Sequence, residues 1–345
     1  MMPLDHTSFH AVALHHTAFL RLGTNLWPAG SLPFATTFVE RPRPVGLRRP
    51  NLFLIGAMKA GTTYLNKLLA AHPAVFMCSP EEPSYFVDPQ QLRQLWPDAW
   101  DDGYWRSEES YLRLFDGAGK AFLVGEASTN YTKRPLVAGV AERIHAFGPD
   151  ARFVYLMRDP IERTISHYWH MVRFHAERRA ILEAVRAEPH YLEVSHYAMQ
   201  LRPYLDLFGH DRVIVLTFEQ LTAAPEATMR WLYGELGLDG GEFDVSGFWK
   251  PENVTPQMLR MAAGNGALRR LWQSRPFRLL TPHLPAAVRE FGLRLSTTPV
   301  RRDAVATGDL VDFLRPLQRR QTEELSQLLG RSFPEWTTLH GGNTA

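Results

Sequence analysis

Between Asn51 and Leu69 the chain reads NLFLIGAMKAGTTYLNKLL. Gly56 and Gly61 keep the spacing of the nucleotide-triphosphate loop G-x-x-x-x-G-K-[ST], yet Thr62 stands in the lysine slot and the lysine, Lys59, lies inside the loop. A strand ending at Ile55, glycines that let the backbone curl, and a helix beginning near Thr62 together aim free N–H groups and a positive dipole end at one point. Thr62 and Thr63 add hydroxyl donors, and Lys59 adds a point charge. The chain has only five lysines, so one placed here is not background. The segment is built for phosphate; the plain alternative is a tight strand-to-helix turn with no ligand. A triphosphate loop also needs magnesium, held by its Ser/Thr and by an acid on a later strand. FLVGEAS offers Glu126 and RFVYLMRDP offers Asp159, the latter preceded by an arginine, so a metal-free anion site is expected.

A second cluster is RDPIERTISHY, Arg158 to Tyr168. Asp159 suits an N-cap and Pro160 the first helical turn, which leaves Arg158 at the carboxyl end of a strand, facing the ligand crevice of an open α/β sheet. Ser166, two turns along, can donate to a phosphate oxygen beside Arg158. The competing reading of Arg158 is an ion pair with a neighbouring carboxylate, and Arg163 reads as structural. In MCSPEEPSYF Glu81 and Glu82 set two carboxylates side by side, an arrangement of like charges that suits a general base or a solvated turn. The histidines show no metal-ligand spacing such as H-E-x-x-H, so His167, His170 and His175 read as helix-surface or cleft residues and no metal is assigned.

The elements that position these residues alternate. NLFLIG precedes TTYLNKLLAAH; FLVGEAS precedes a helix near Leu136 to Phe147; RFVYLMRDP precedes IERTISHYWHMVRFH; RVIVLTFEQL precedes PEATMRWLYGELG. Short apolar strands separated by helices predict a doubly wound, P-loop-like parallel sheet flanked by helices, in a single α/β domain over 51–340. Residues 1–50 lack a period and end in RPRPVGLRRP, which predicts an extended, solvated lead-in. From Pro256 to Arg302 nine arginines face one acid, Glu290, and alternate with Leu, Trp and Phe. This stretch is expected as a basic helical segment serving as a lid, a dimer surface or an interfacial patch on anionic lipid, with Arg269, Arg270, Arg275 and Arg278 bringing the cleft to a membrane-bound or anionic acceptor. A last helical pattern, Leu310 to Leu329, ends at Gly330 as its C-cap.

Composition bounds the rest. The chain has 345 residues, 45% hydrophobic and 21% charged, which is globular and not disordered. A formal charge of +2, from 38 basic and 36 acidic residues, excludes a bulk polyanion binder, so no nucleic-acid partner is expected. Cys78 is the only cysteine, which rules out an intrachain disulfide and a cysteine-built zinc site and fits a reducing compartment. No apolar run reaches the roughly eighteen residues of a spanning helix, and Asp5, His6, His10, His15 and His16 interrupt any leader. A cytoplasmic protein, with peripheral membrane contact at most, is the expectation.

KAGTT at Lys59 to Thr63 resembles the K-x-G-T-[ST] loop of sulfotransferases that use 3′-phosphoadenosine 5′-phosphosulfate (PAPS), and every defining position of their R-D-P-x-x-R-x-x-S-x-Y motif recurs from Arg158 to Tyr168. EEPSYF resembles the K-E-P-x-[FY]-F stretch of the carbohydrate and heparan-sulfate branch, with Glu82 on the general base and Glu81 where that branch has lysine. GEASTNYTKRP resembles the acceptor-cleft segment G-E-x-[ST]-P-x-Y, departing from it at Thr129 and Asn130. SHYAMQLRPYLDLFG and LLGRSFPEW resemble bacterial members. The family's late K-G-R-like cofactor loop has no exact match here; Arg301 and Arg302 stand nearest.

This resemblance, over 51–340, implies sulfuryl transfer from PAPS, without a metal, to a hydroxyl or amine of a small-molecule, glycan or lipid-linked acceptor, leaving 3′,5′-ADP. It implies cofactor contacts at Lys59, Ala60, Gly61, Thr62, Thr63, Arg158, Ser166, Arg301 and Arg302, catalysis by Lys59 at the leaving oxygen and Glu82 at the acceptor proton, and acceptor contacts at Glu126, Tyr131 and Lys133. Two other classes stay open: a P-loop kinase or NTPase, which would turn over ATP with magnesium, and a catalytically silent nucleotide-binding module on the same fold. Acceptor identity and oligomeric state have no sequence signal, because acceptor pockets are built from variable loops.

Overall fold

The computed structural model describes residues 47–175, 177–238, 256–262 and 297–341. At its centre lies β1 (Leu52–Gly56), every residue of it buried. A strand covered on both faces needs no polar alternation, which is why LFLIG is continuously apolar. β3 (Leu123–Ala127) pairs with it on one side, Leu52 opposite Gly125, and β4 (Arg152–Met157) on the other, Leu52 opposite Arg152. β2 (Val75–Met77) and β5 (Val213–Thr217) complete a five-stranded, all-parallel sheet of order β2-β3-β1-β4-β5. The strand order reverses at β1, so the crevice for a ligand opens at the carboxyl ends of β1, β3 and β4.

The helices in chain order are α1 (Thr62–Ala71), α2 (Pro89–Leu95), α3 (Pro97–Asp102), α4 (Glu108–Leu112), α5 (Val140–Phe147), α6 (Pro160–Phe174), α7 (Ile181–Ala187), α8 (His190–Glu193), α9 (Tyr197–Phe208), α10 (Phe218–Ala223) and α11 (Pro225–Glu235). The Asp159 carboxylate caps α6, accepting from the N–H of Ile161 and of Glu162, and Pro160 opens the first turn as expected. α5 begins later than its apolar pattern suggested: Gly139, at φ 75°, turns the chain into the helix only at Val140. The edge strand β2 is three residues long and carries no readable period.

The C-terminal helix, Gly308–Leu329, ends at Gly330 in the left-handed conformation expected of a glycine C-cap. It lies against α6. Gln318 Nε2 donates to the Pro160 carbonyl at 3.2 Å and to Thr164 Oγ1 at 3.1 Å. Beyond it, the Leu339 N–H donates to Asp159 Oδ2 at 3.0 Å and Thr338 Oγ1 to Glu162 Oε1 at 3.0 Å.

Two expectations are corrected. The described ends of the 256–302 stretch are strands, not helix: Met258–Ala262 pairs antiparallel with Thr297–Arg301. Threonines and valine in TTPVR favour an extended chain, and on the partner Leu259 is buried while Met258 is exposed. Arg269, Arg270, Arg275 and Arg278 lie outside the described residues, as do residues 1–46. Second, the end of the lead-in is docked, not solvated. Arg48 donates to the carbonyls of Gly119 and Ala121 at 2.7 Å each, and Arg49 donates to the Phe147 carbonyl at 2.9 Å and pairs with Glu108. Carbonyls left open where turns and helices end attract guanidinium donors. Among the described residues no helix is long and apolar enough to cross a membrane.

Candidate active site

The loop between β1 and α1 is shaped by backbone conformations that few side chains permit. Gly56 has φ 148°, and a Cβ on it would come within 2.7 Å of the Tyr155 ring. Gly61, the N-cap of α1, has φ 98°, and its Cβ would meet Phe218 at 2.9 Å. Lys59 itself holds φ 69°, a strained conformation for a side-chain-bearing residue and a mark of a functional turn. α1 has neither a side-chain cap nor an acid in its first turn, so its leading N–H groups point toward an incoming anion. Burial holds the Lys59 ammonium below its usual pKa, and the guanidinium groups of Arg158, Arg173, Arg163 and Arg302 push the same way.

Arg158 leaves the end of β4 with its carbonyl accepting from the Tyr197 hydroxyl at 2.7 Å and its guanidinium 5.2 Å over the Phe218 ring. The ion pair that competed for it exists but is loose: Nη2 lies 3.5 Å from Glu162, and both side chains are partly exposed. Ser166 is half-buried on α6. Arg163 is fully buried and structural, as its position suggested. It donates to Ser195 Oγ at 2.5 Å, to the Tyr191 carbonyl at 2.6 Å and, across the crevice, to the Met58 carbonyl of the loop at 3.4 Å.

The two late arginines separate. Arg301 is exposed and forked onto Asp303 at 3.1 and 2.6 Å, so the structure does not support it as a cofactor contact. Arg302 lies 5.8 Å over Trp169 of α6 and acts on Lys59. Arg173, absent from the sequence candidates, joins the cluster from the last turn of α6; its signal was the spacing Ser166, His170, Arg173, one face of a helix. The His170 imidazole is pushed down to about 3, first by burial and then by Lys59, His175, Lys133 and Arg173, so it is neutral at any ordinary pH. His167 is core and not surface: 3% exposed, it packs on His190 and Tyr191 beside Arg163.

Across the crevice, the segment after β2 brings in the carboxylates. Glu82, half-buried and at φ 61°, accepts from the Thr129 N–H at 2.9 Å and from Thr129 Oγ1 at 2.8 Å. Burial raises its pKa, while Lys133 and the two Thr129 bonds oppose that rise. Thr129 stands where the resembling motif has proline, which could offer neither the N–H nor the hydroxyl. Glu81 does not share a solvated turn with Glu82; it reaches α1, accepting from Thr63 Oγ1 and Asn66 Nδ2 at 3.1 Å each.

Glu126 and Tyr131 are interior residues and not rim residues. They are 0% and 2% exposed, and the Glu126 carboxylate accepts from Tyr111, Tyr131 and Ser128 hydroxyls at 2.5, 2.9 and 2.9 Å. Burial holds that carboxyl up at about 7 despite the three donors. Lys133 is 8% exposed, 4.6 Å over the Trp96 ring and bonded to Asn130 Oδ1 at 2.6 Å. Among the described residues no group of three or more His, Cys, Asp or Glu is placed to hold a metal ion.

A parallel sheet with a glycine-shaped loop after β1 and the helix that follows Arg158 after β4 is a doubly wound α/β fold with its crevice at the carboxyl ends of the strands. The pattern of the sulfotransferase family matches residues 50–242, more than half of the chain, and the chain belongs to that family. Among curated proteins it is 33% identical over 119 residues to the membrane-associated sulfotransferase kil1 of Dictyostelium discoideum, an alignment covering 34% of this chain and 22% of that one. It is 25% identical to human carbohydrate sulfotransferase 15 (55% of this chain, 44% of that one) and 23% identical to mouse heparan sulfate glucosamine 3-O-sulfotransferase 3B1 (63% and 53%). The chain therefore spans at most about half the length of these relatives. A sulfotransferase crystal structure from Alicyclobacillus acidocaldarius shares the fold with a TM-score of 0.59 at 24% identity, over 84% of this chain and 99% of that one.

Proposed function

We propose that the chain transfers the sulfuryl group of PAPS to a hydroxyl or amine of a glycan, glycolipid or secondary metabolite. The observation that carries this is the gathering of Arg158, Arg173 and Arg302 around Lys59 beside an uncapped helix N-terminus, with the Glu82 carboxylate held on Thr129. A donor with phosphates at two ends fits such a split cation set, and family membership supplies the reaction class. PAPS brings the activated sulfuryl group and leaves as 3′,5′-ADP. The leading N–H groups of α1, with Gly61 and Thr62, hold the 5′-phosphate. Lys59 meets the bridging oxygen, where charge grows as the bond breaks. Arg158 and Ser166 hold the 3′-phosphate, with Arg173 and Arg302 adding charge. Glu82 takes the proton of the acceptor as it attacks, and the crevice holds both partners in line.

A glycan acceptor is supported by the carbohydrate and heparan sulfate enzymes among its relatives. A cytoplasmic setting is supported by the single, buried cysteine. The test is calorimetry with 3′,5′-ADP, 5′-AMP and magnesium ATP, followed by mass spectrometry of a glycan and glycolipid panel incubated with PAPS. Tight 3′,5′-ADP binding with a product one sulfuryl group heavier is expected. ATP hydrolysis without 3′,5′-ADP binding would place the chain among kinases or NTPases, and binding without any transfer would make it a silent module.

A further inference from the structure

Lys133 poses a problem that the cofactor site does not answer. Its ammonium is buried, and among the described residues no carboxylate lies within ion-pair distance; its partners are Asn130 Oδ1 and the face of Trp96. An unpaired buried cation is expensive, and a methionine would fill the same space without that penalty. The amide that holds it leads to Glu82: Asn130 Nδ2 donates to Ser84 Oγ at 2.9 Å, and Ser84 Oγ donates to the Glu82 carbonyl at 3.1 Å. Thr129, which stands at the family's proline position, and its neighbour Asn130 are thus the residues that hold the carboxylate and the cation.

We propose that Lys133 is a positioning residue for Glu82: anchored by Asn130 against Trp96, its ammonium keeps Glu82 ionised as the proton-accepting carboxylate. The inference rests on the proposed role of Glu82. Of the charges around Glu82, Lys133 opposes the effect of burial most and Glu81 adds to it. Glu82 is in turn the charge that most favours the Lys133 ammonium; Arg163 disfavours it. The other groups that feel this pair are Glu126, which feels Glu82, and the imidazoles of His167, His170 and His190, which feel Lys133 and which burial keeps neutral. Lys133 is held down to about 8, so it remains an ammonium at neutral pH. Without it, burial would push the Glu82 carboxyl further up, opposed only by the two Thr129 bonds.

The experiment needs no acceptor. Difference infrared spectra between the wild type and Glu82→Gln isolate the Glu82 carboxyl, whose titration is then followed in Lys133→Met, Lys133→Arg and Asn130→Ala, each again referenced to its own Glu82→Gln partner. Lys133→Met should raise the midpoint by about one pH unit or more, Lys133→Arg should return it to the wild-type value, and Asn130→Ala should raise it by less. With an acceptor in hand, the acid limb of kcat should move with the midpoint while the KM for PAPS stays put. An unmoved midpoint in Lys133→Met overturns the inference. If that variant does not fold, an unmoved midpoint in Asn130→Ala does so. Full transfer by Glu82→Gln would instead remove Glu82 as base, a failure of the proposed function that the titration shift would not mimic.

Discussion

The two banks of the crevice are built on opposite principles. On the β1 and β4 side, cations crowd together: Lys59 feels four arginines, and Glu162, the acid paired with Arg158, stands off at 3.5 Å. On the β2 and β3 side, acids are gathered and satisfied: Glu126 by three hydroxyls, Glu82 by both donors of Thr129 with Lys133 nearby. The cations of the first bank repel one another, and the nucleotide of the proposed function would relieve that repulsion. The second is complete without a ligand and holds one carboxylate ready. In the proposed function, binding falls to one bank and proton transfer to the other.

That division can be broken by experiment. Glu82→Gln removes the proton acceptor and should lower turnover by roughly a thousandfold, within the range for general-base loss, while calorimetry finds the affinity for 3′,5′-ADP unchanged. A matching loss of affinity would show that the banks are not independent. Lys59→Ala should lower kcat by about a hundredfold, roughly 3 kcal/mol, with only a modest change in affinity, because its charge matters most as the leaving oxygen develops. Near-normal turnover would take Lys59 out of the chemistry.

Arg158→Ala should erase most of the preference for 3′,5′-ADP over 5′-AMP, about 2 kcal/mol or thirtyfold. Equal affinity of the two nucleotides for the wild type would already contradict the 3′-phosphate assignment. The smallest change sharpens the border between the banks. Glu81 is the acid that reaches across to α1, where it occupies the Thr63 hydroxyl. Glu81→Gln should tighten 3′,5′-ADP about two- to fivefold, more at low salt. Weaker binding would mean instead that Glu81 orders the helix.

The cation bank was the more legible of the two in sequence, and for a physical reason. A loop between a strand and a helix, and a capped helix after a strand, are local events, so Lys59 to Thr63 and Arg158 to Ser166 appear as unbroken motifs. The parallel sheet was legible because buried strands are continuously apolar. The acid bank depends on contacts distant in sequence: Glu82 meets Thr129, and Tyr111 meets Glu126, only after β2 and β3 pair. Nothing local announces that Glu126 and Tyr131 are interior. Composition also misled where it stood alone. Nine arginines suggested a helix over 256–302, yet Thr297 to Arg301 is a strand. Arginines at the end of the lead-in suggested solvation, yet Arg48 and Arg49 grip carbonyls.

The contacts of the C-terminal helix bear on how this protein can be divided. The pattern that marks the family ends at residue 242, but Gln318, Thr338 and Leu339 bond the first turn of α6, including the cap Asp159, next to Arg158. A fragment cut at the end of the signature would keep Lys59 to Thr63 and Arg158 to Ser166 but lose Arg302 and the wall against which α6 is seated. The inherited signature is therefore shorter than the working unit, whose true border is drawn by hydrogen bonds about a hundred and fifty residues apart in the chain.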